Sequence, residues 1–409
     1  MRRIFLGVVV AFIFAFLVSN SQAAVWEAQN SWSQEWEEKY ASWVKDNWDE
    51  NFFVKKNTPF NGLKLDCADA VYSMRVIFSF LHSLPFAAKD PTSGSKKITN
   101  AMKRWDDISD PEKRIRLFLK YIYPILSTST LPDDTFPVEV DKKTIRSGAL
   151  LLTDHKNHHS WTIKEITPEG VPHLIYSSRP AKSQIKQRIG FPSMGFVFPK
   201  GLKPSRHAGF RNFRQPEHVG LPVWEVPGYS LEQYSLPYAK WRRIVQQKLA
   251  TREESYDQQL QRLFTDACQN AQERVTAVNE GLEYIAGLSR CLDSKEYGDF
   301  STPNRDQRLR DSFVDLFEAI QDAKDVGAQL SPELGPLISA LSSPGGLENT
   351  PYSETCRIEI RPGEYMSFSE LANRSLSNRL SNNPHDPSEY RWGEKKGRSV
   401  RARRCPVYD

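Results

Sequence analysis

Long apolar runs are scarce in this 409-residue chain. One lies at the start, Ile4 to Val18, and no later stretch approaches the roughly 20 apolar residues that a membrane-spanning helix needs. No transmembrane segment is therefore expected in the mature chain. Charge of one sign is missing too. The formal excess is +5, and only +3 without Arg2 and Arg3, too mild to make the whole chain a nucleic-acid binder. Cysteine is sparse, with Cys67, Cys268, Cys291, Cys356 and Cys405, and none follows the first apolar run where a lipid would be attached.

What is present at the N-terminus settles the expected compartment. Arg2 and Arg3 precede the apolar run, and Ser21-Gln22-Ala23 offers small residues where a signal peptidase cuts. The sequence predicts a signal peptide over residues 1–23 and a periplasmic or secreted mature protein; a retained N-terminal anchor is the alternative. The remaining length suits two or three structural units. With 39% hydrophobic and 26% charged residues, it has the composition of an ordinary globular protein.

In an oxidising compartment, five cysteines leave one without an intramolecular partner. Cys67 stands about 200 residues before the next cysteine and is the natural odd one out. For the other four we favour Cys268–Cys291 and Cys356–Cys405. One continuous helix would hold the first pair too far apart for a bridge, so that pairing predicts a break, with Asn279-Glu280-Gly281 as the place for it.

Trp32, Trp36, Tyr40 and Trp43 recur at helical steps, an aromatic stripe that either packs on the domain after it or meets a glycan or membrane surface. Asp110-Pro111-Glu112 opens a helix through Ile125. Residues 148–179 change to short β-prone runs, with a turn at Thr167-Pro168-Glu169-Gly170. From 245 onward the spacing is helical again, and Ser301-Thr302-Pro303 starts a helix to about Val326. These signals divide the chain into a domain over 24–244 led by the aromatic helix, a helical region over 245–330, and an irregular basic region over 331–409. The basic residues near the end read as solvated charge, with anionic polymers or membranes as the sharper alternative.

Chemistry concentrates at "LDCADAVYSMRVIFSFL". With Asp66 as N-cap and Asp69 supporting the cap, Cys67 is the first residue of a helix whose buried stripe runs Cys67, Ala70, Val71, Met74, Ile77, Phe78, Leu81. Unpaired N–H groups and the helix dipole there favour a thiolate, which predicts a low pKa and fast labelling of Cys67 near neutral pH. The same N–H groups, from the Asp66-Cys67 start, can hold an oxyanion. A base is offered by "DHKNHHSW". His159 alternates with Trp161 and Ile163 and is expected to face inward, while His158 shares its face with Ser160, Thr162 and Lys164, which reads as solvent-facing. A buried structural thiol and a metal site at His155, His158 and His159 are the competing readings. The tract has no ligand partner at a recognised spacing, so neither a metal nor any other cofactor is expected.

Asp-Cys opening a buried helix, then "SGALLLT", then a histidine beginning "HSWTIKEI" resembles the NlpC-type cell-wall cysteine peptidases of the papain-like superfamily. The likeness spans residues 61–180 at most. Ala68 stands where that pattern has serine, Asp69 follows it, and His159 comes 92 residues after Cys67, with an inserted helix between. The resemblance implies an α+β papain-like (NlpC-like) domain with a small antiparallel sheet, followed here by the helical region. It implies that Cys67 is nucleophile and His159 base. It also implies a third polar residue on the next strand: His173 matches by type, whereas counting back from the turn pairs His159 with Ser178 and makes Ser177 or Ser178 the orienting group. The expected activity is hydrolysis of an amide in peptidoglycan or another envelope peptide. The alternatives are a non-catalytic envelope binding protein on the same fold and a lipid-directed acyltransferase or thioesterase. The sequence leaves the oligomeric state open.

Overall fold

A computed structural model describes residues 24–153, 159–192, 208–341 and 356–408. The expected signal peptide, His155 and His158 lie outside these residues. The chain is a mixed α+β protein with small antiparallel sheets. Among the described residues no helix is long and apolar enough to cross a membrane.

Helix α1 (Gln34–Asn47) starts where the Ser33 hydroxyl accepts the Trp36 N–H. Its Tyr40 and Val44 are buried, as is Trp32 just before it, while Trp36 and Trp43 pack half-buried on the same core. The aromatic stripe therefore lies on α2 (Cys67–Leu81). Arg75 of α2 sits 3.3 Å from the Trp32 ring centre and bonds both Glu37 oxygens, which fixes the two helices together. A short hairpin, β1 (Ala87–Lys89) with β2 (Lys97–Thr99), follows. Helix α3 (Pro111–Ile122) is capped by Asp110 as the sequence predicts, and ends three residues before Ile125.

Six strands form one antiparallel sheet in the order β3-β8-β4-β5-β6-β7. They are β3 (Thr135–Pro137), β4 (Leu150–Leu152), β5 (Ser160–Ile166), β6 (Pro172–Tyr176), β7 (Lys186–Ile189) and β8 (Gly209–Phe213). The register Thr162↔Ile175 carries the alignment counted from the Thr167–Gly170 turn, and a bulge follows between Ile163 and Glu165. Leu150, Leu152 and Ile175 face the core under α2, whereas Leu151, Trp161, Ile163 and Leu174 face a second core closed by α4 (Trp241–Leu249). Both faces are covered. Ser160 and Thr162, expected at solvent, are consequently buried beneath α2, because two-sided burial removes the polar-out half of a strand's alternation. At the β5–β6 turn Gly170 has φ +79°, and a Cβ there would lie 2.1 Å from the Gln246 carbonyl oxygen of α4.

The second half is built on α5 (Tyr256–Ala286), α6 (Ser294–Phe300) and α7 (Pro303–Asp325). Leu260, Phe264, Leu309 and Phe313 share one core with Ile358 and Ile360 of β9 (Ile358–Arg361), Met366 of β10 (Glu364–Met366), and Phe368 of α8 (Phe368–Leu376). Described residues beyond 331 thus complete the helical core. The favoured disulfide pairing is corrected: the bridges are Cys268–Cys356 and Cys291–Cys405. No break occurs at 279–281. α5 runs through it for 31 residues, which keeps Cys268 from reaching Cys291. Gly281 serves close packing instead, since a Cβ there would come 3.2 Å from the Phe300 Cβ.

Candidate functional site

Cys67 is held by its own sequence. The Asp66 carboxylate accepts the N–H groups of Ala68 and Asp69 at 3.0 and 3.2 Å, and the Asp69 carboxylate accepts the Asp66 N–H at 3.0 Å. This reciprocal cap fixes Cys67 as the first helical residue. The sheet then clamps the helix start. The Ser160 hydroxyl donates to the Cys67 carbonyl at 3.0 Å, and the Ser177 hydroxyl donates to the Leu65 carbonyl at 2.6 Å. Cys67 belongs to neither disulfide, and its Sγ lies 3.5 Å from the Thr128 hydroxyl.

His159 immediately precedes β5. Its N–H donates to the Thr153 hydroxyl at 2.8 Å, and its carbonyl accepts the Thr153 N–H at 3.0 Å, so the β4–β5 pairing extends one residue further. The ring stands nearly perpendicular to Trp161, 4.5 Å between centres, and 5.8 Å from Tyr176. Cys67 and His159 line one cavity of about 150 Å³ together with Ser178. The remaining lining, Arg179 apart, comes from residues 298–308 in the helical half, including Arg305 and Arg308.

The other expected site residues separate from this pair. Ser177 is buried and committed to the Leu65 carbonyl. His173 sits toward the turn end of β6, beside Glu165 at 3.6 Å and Gln187 at 3.2 Å, and does not line the Cys67 cavity. Matching by residue type misplaces it because the alignment puts Glu165, not His159, opposite His173.

The electrostatics overturn the expected low thiol pKa. Burial, followed by the nearby Asp66 charge, pushes the Cys67 thiol up to about 12, against the opposing Thr128 hydroxyl and Ala68 N–H. A helix terminus contributes at most about 2 kcal/mol, which does not outweigh desolvation beside two carboxylates. Burial, and then Arg308, hold the His159 imidazole well below its ordinary value. At neutral pH the pair is thiol and neutral imidazole.

Sequence reasoning missed the contribution of the helical half. Tyr176 donates to Glu273 of α5, which also pairs with Lys186 at 3.6 Å and with Arg308 of α7 at 3.3 Å. Arg188 of β7 pairs with Asp266, and Lys182 with Glu280. Asp266, Asn270, Glu273 and Glu280 recur at near-helical steps along α5; that acidic stripe was the available signal for a basic strand edge lying against it. A further cluster, His385 beside Cys291 and Cys405, has both sulfurs joined in the disulfide and His385 Nε2 accepting the Leu292 N–H, so it is spent on structure.

Comparisons with protein-family models, with curated proteins and with solved structures found no match.

Proposed function

We propose that this chain is an exported thiol hydrolase with a papain-like catalytic domain, cleaving an amide bond in peptidoglycan or another envelope peptide. The carrying observation is that Cys67, on the first turn of α2, and His159, at the start of β5, line the same cavity. The substrate carbonyl meets the Cys67 sulfur while His159 takes the thiol proton, so the sulfur–carbon bond forms as the S–H bond breaks. Because both groups rest uncharged, deprotonation accompanies attack rather than preceding it. The Cys67 backbone N–H, at the start of α2, helps hold the oxyanion. His159 then gives its proton to the leaving amine, and water hydrolyses the thioester to a carboxylate and the restored thiol. Ser178, which also lines the cavity, is the orienting residue this reading prefers.

The raised thiol is the one observation that favours the non-catalytic binding protein instead. The polar, arginine-bearing lining gives no support to lipid-directed acyl transfer. The test is incubation of the mature protein with purified peptidoglycan and with envelope peptides, using mass spectrometry to find newly freed amine and carboxylate ends. Cys67→Ala and His159→Ala should each abolish product, and His158→Ala should leave it nearly unchanged. Product formation that persists in Cys67→Ala would end the thiol reading.

A further inference from the structure

The Cys67 cavity carries three guanidinium groups, those of Arg179, Arg305 and Arg308, and among the described residues no carboxylate lines it. Two of the three are neutralised by carboxylates outside the lining. Arg179 meets Asp299 at 3.2 Å, and Arg308 meets Glu273 at 3.3 Å. Arg305 is different. Its guanidinium donates to the carbonyls of Arg179 at 2.5 Å and Ser301 at 3.3 Å, and among the described residues no carboxylate lies within ion-pair distance of it. Carbonyl partners aim a guanidinium without cancelling its charge.

Position adds to charge. Arg305 and Arg179 line both the Cys67 cavity and an adjoining one of about 370 Å³, and Ser178 is shared as well. The adjoining cavity also presents Glu50, Glu273 and Glu280, so among the described residues the side lined by arginine without a carboxylate is the Cys67 cavity. Arg305 is the third residue of α7, and Pro303 and Asn304 of the same turn also face the cavity. Guanidinium forks match a carboxylate in two parallel hydrogen bonds.

We propose that Arg305, supported by Arg179, forms a carboxylate subsite next to Cys67, and that the amide substrate carries a free carboxylate bound there while its carbonyl meets the sulfur. The anion subsite stands on the cavity alone; its role in choosing substrate rests on the thiol-hydrolase reading. The helical half would then supply substrate selectivity to a nucleophile held by the other half.

The test is calorimetric titration of the full mature chain with succinate, and with uncharged succinamide, at fixed ionic strength. Succinate should bind and succinamide should not. Arg305→Gln should weaken succinate binding about tenfold or more, the loss of a charge-assisted hydrogen bond, and Arg305→Lys should recover part of it. A thermal melt confirms that each variant is folded, and Arg179→Gln supplies a second variant. No heat with succinate, or equal binding in Arg305→Gln, Arg305→Lys and wild type, overturns the subsite. Arg305-dependent succinate binding without Cys67-dependent cleavage would retain the subsite and remove the hydrolase reading. Cys67-dependent cleavage without succinate binding would do the reverse.

Discussion

The protonation of Cys67 can be tested by its rate of reaction with a small neutral alkylating agent. With the thiol pushed up to about 12, the thiolate fraction at pH 7 is on the order of one part in 10⁵, against a few per cent for an unperturbed thiol near 8.5. Labelling by iodoacetamide, which consumes thiolate, should therefore run on the order of a thousandfold slower than that of a free cysteine. The rate should still be rising tenfold per pH unit above pH 9, where an ordinary thiol has levelled off. Asp66 is the second cause of the elevation, after burial, and asparagine caps helices as well as aspartate does. Asp66→Asn should keep the α2 start and lower the thiol pKa, speeding labelling at every pH below the plateau. The assay is peptide mass spectrometry of the Cys67 adduct across pH, under native conditions. Labelling of the wild type at pH 7 as fast as a free thiol, with a plateau near pH 8.5, would refute the claim that burial and Asp66 govern this sulfur.

Two further predictions concern the helical half. Non-reducing peptide mapping should recover Cys268–Cys356 and Cys291–Cys405, and Cys268→Ala with Cys356→Ala should destabilise by about 2–5 kcal/mol, as for other native bridges; a Cys268–Cys291 peptide would contradict the unbroken α5. For Glu273, burial alone would raise the carboxyl, but Lys186, Arg308 and the Tyr176 hydroxyl outweigh it and hold it at about 2. The folded state thus binds this proton less readily than the unfolded one, near 4.3, so the stabilisation is present above about pH 4.3 and lost as pH falls toward 2. Denaturant melts between pH 5 and pH 2 should show Glu273→Gln losing about 3 kcal/mol less than wild type, and parallel losses would sink the account.

How far the sequence carries depends on how local the physics is. Asp66, Cys67 and Asp69 specify the α2 cap within four residues, and the structure has that cap in full. Asp110-Pro111 is an equally self-contained helix start, whereas the Thr302 hydroxyl makes no cap and bonds Asp306 instead. The Thr167–Gly170 turn likewise makes the β5–β6 hairpin, though the bulge between Ile163 and Glu165 is what brings Thr162 opposite Ile175. The misjudged features all depend on partners far away in the chain. Ser160 and Thr162 look like a wet face until α2 is laid over them. Cys268 finds Cys356 only through the fold of the intervening residues. The Cys67 pKa follows from what encloses the helix terminus, which the helix sequence does not contain.

That same non-locality places the candidate site at a seam. The sheet presents Tyr176, Lys182, Lys186 and Arg188 at its β7 edge, and α5 answers with Glu273, Glu280 and Asp266. An uncovered edge strand would invite pairing with another chain; here charged side chains seat a helix over it. Once α5 is seated, α7 follows through the core they share, and the first turn of α7 closes the cavity over Cys67 and His159. Glu273 couples the two consequences, since it receives Tyr176 from beside the His159 ring and Arg308 from the cavity wall. The same seam between α5 and the sheet thus brings arginines of α7 to the cavity that Cys67 and His159 line.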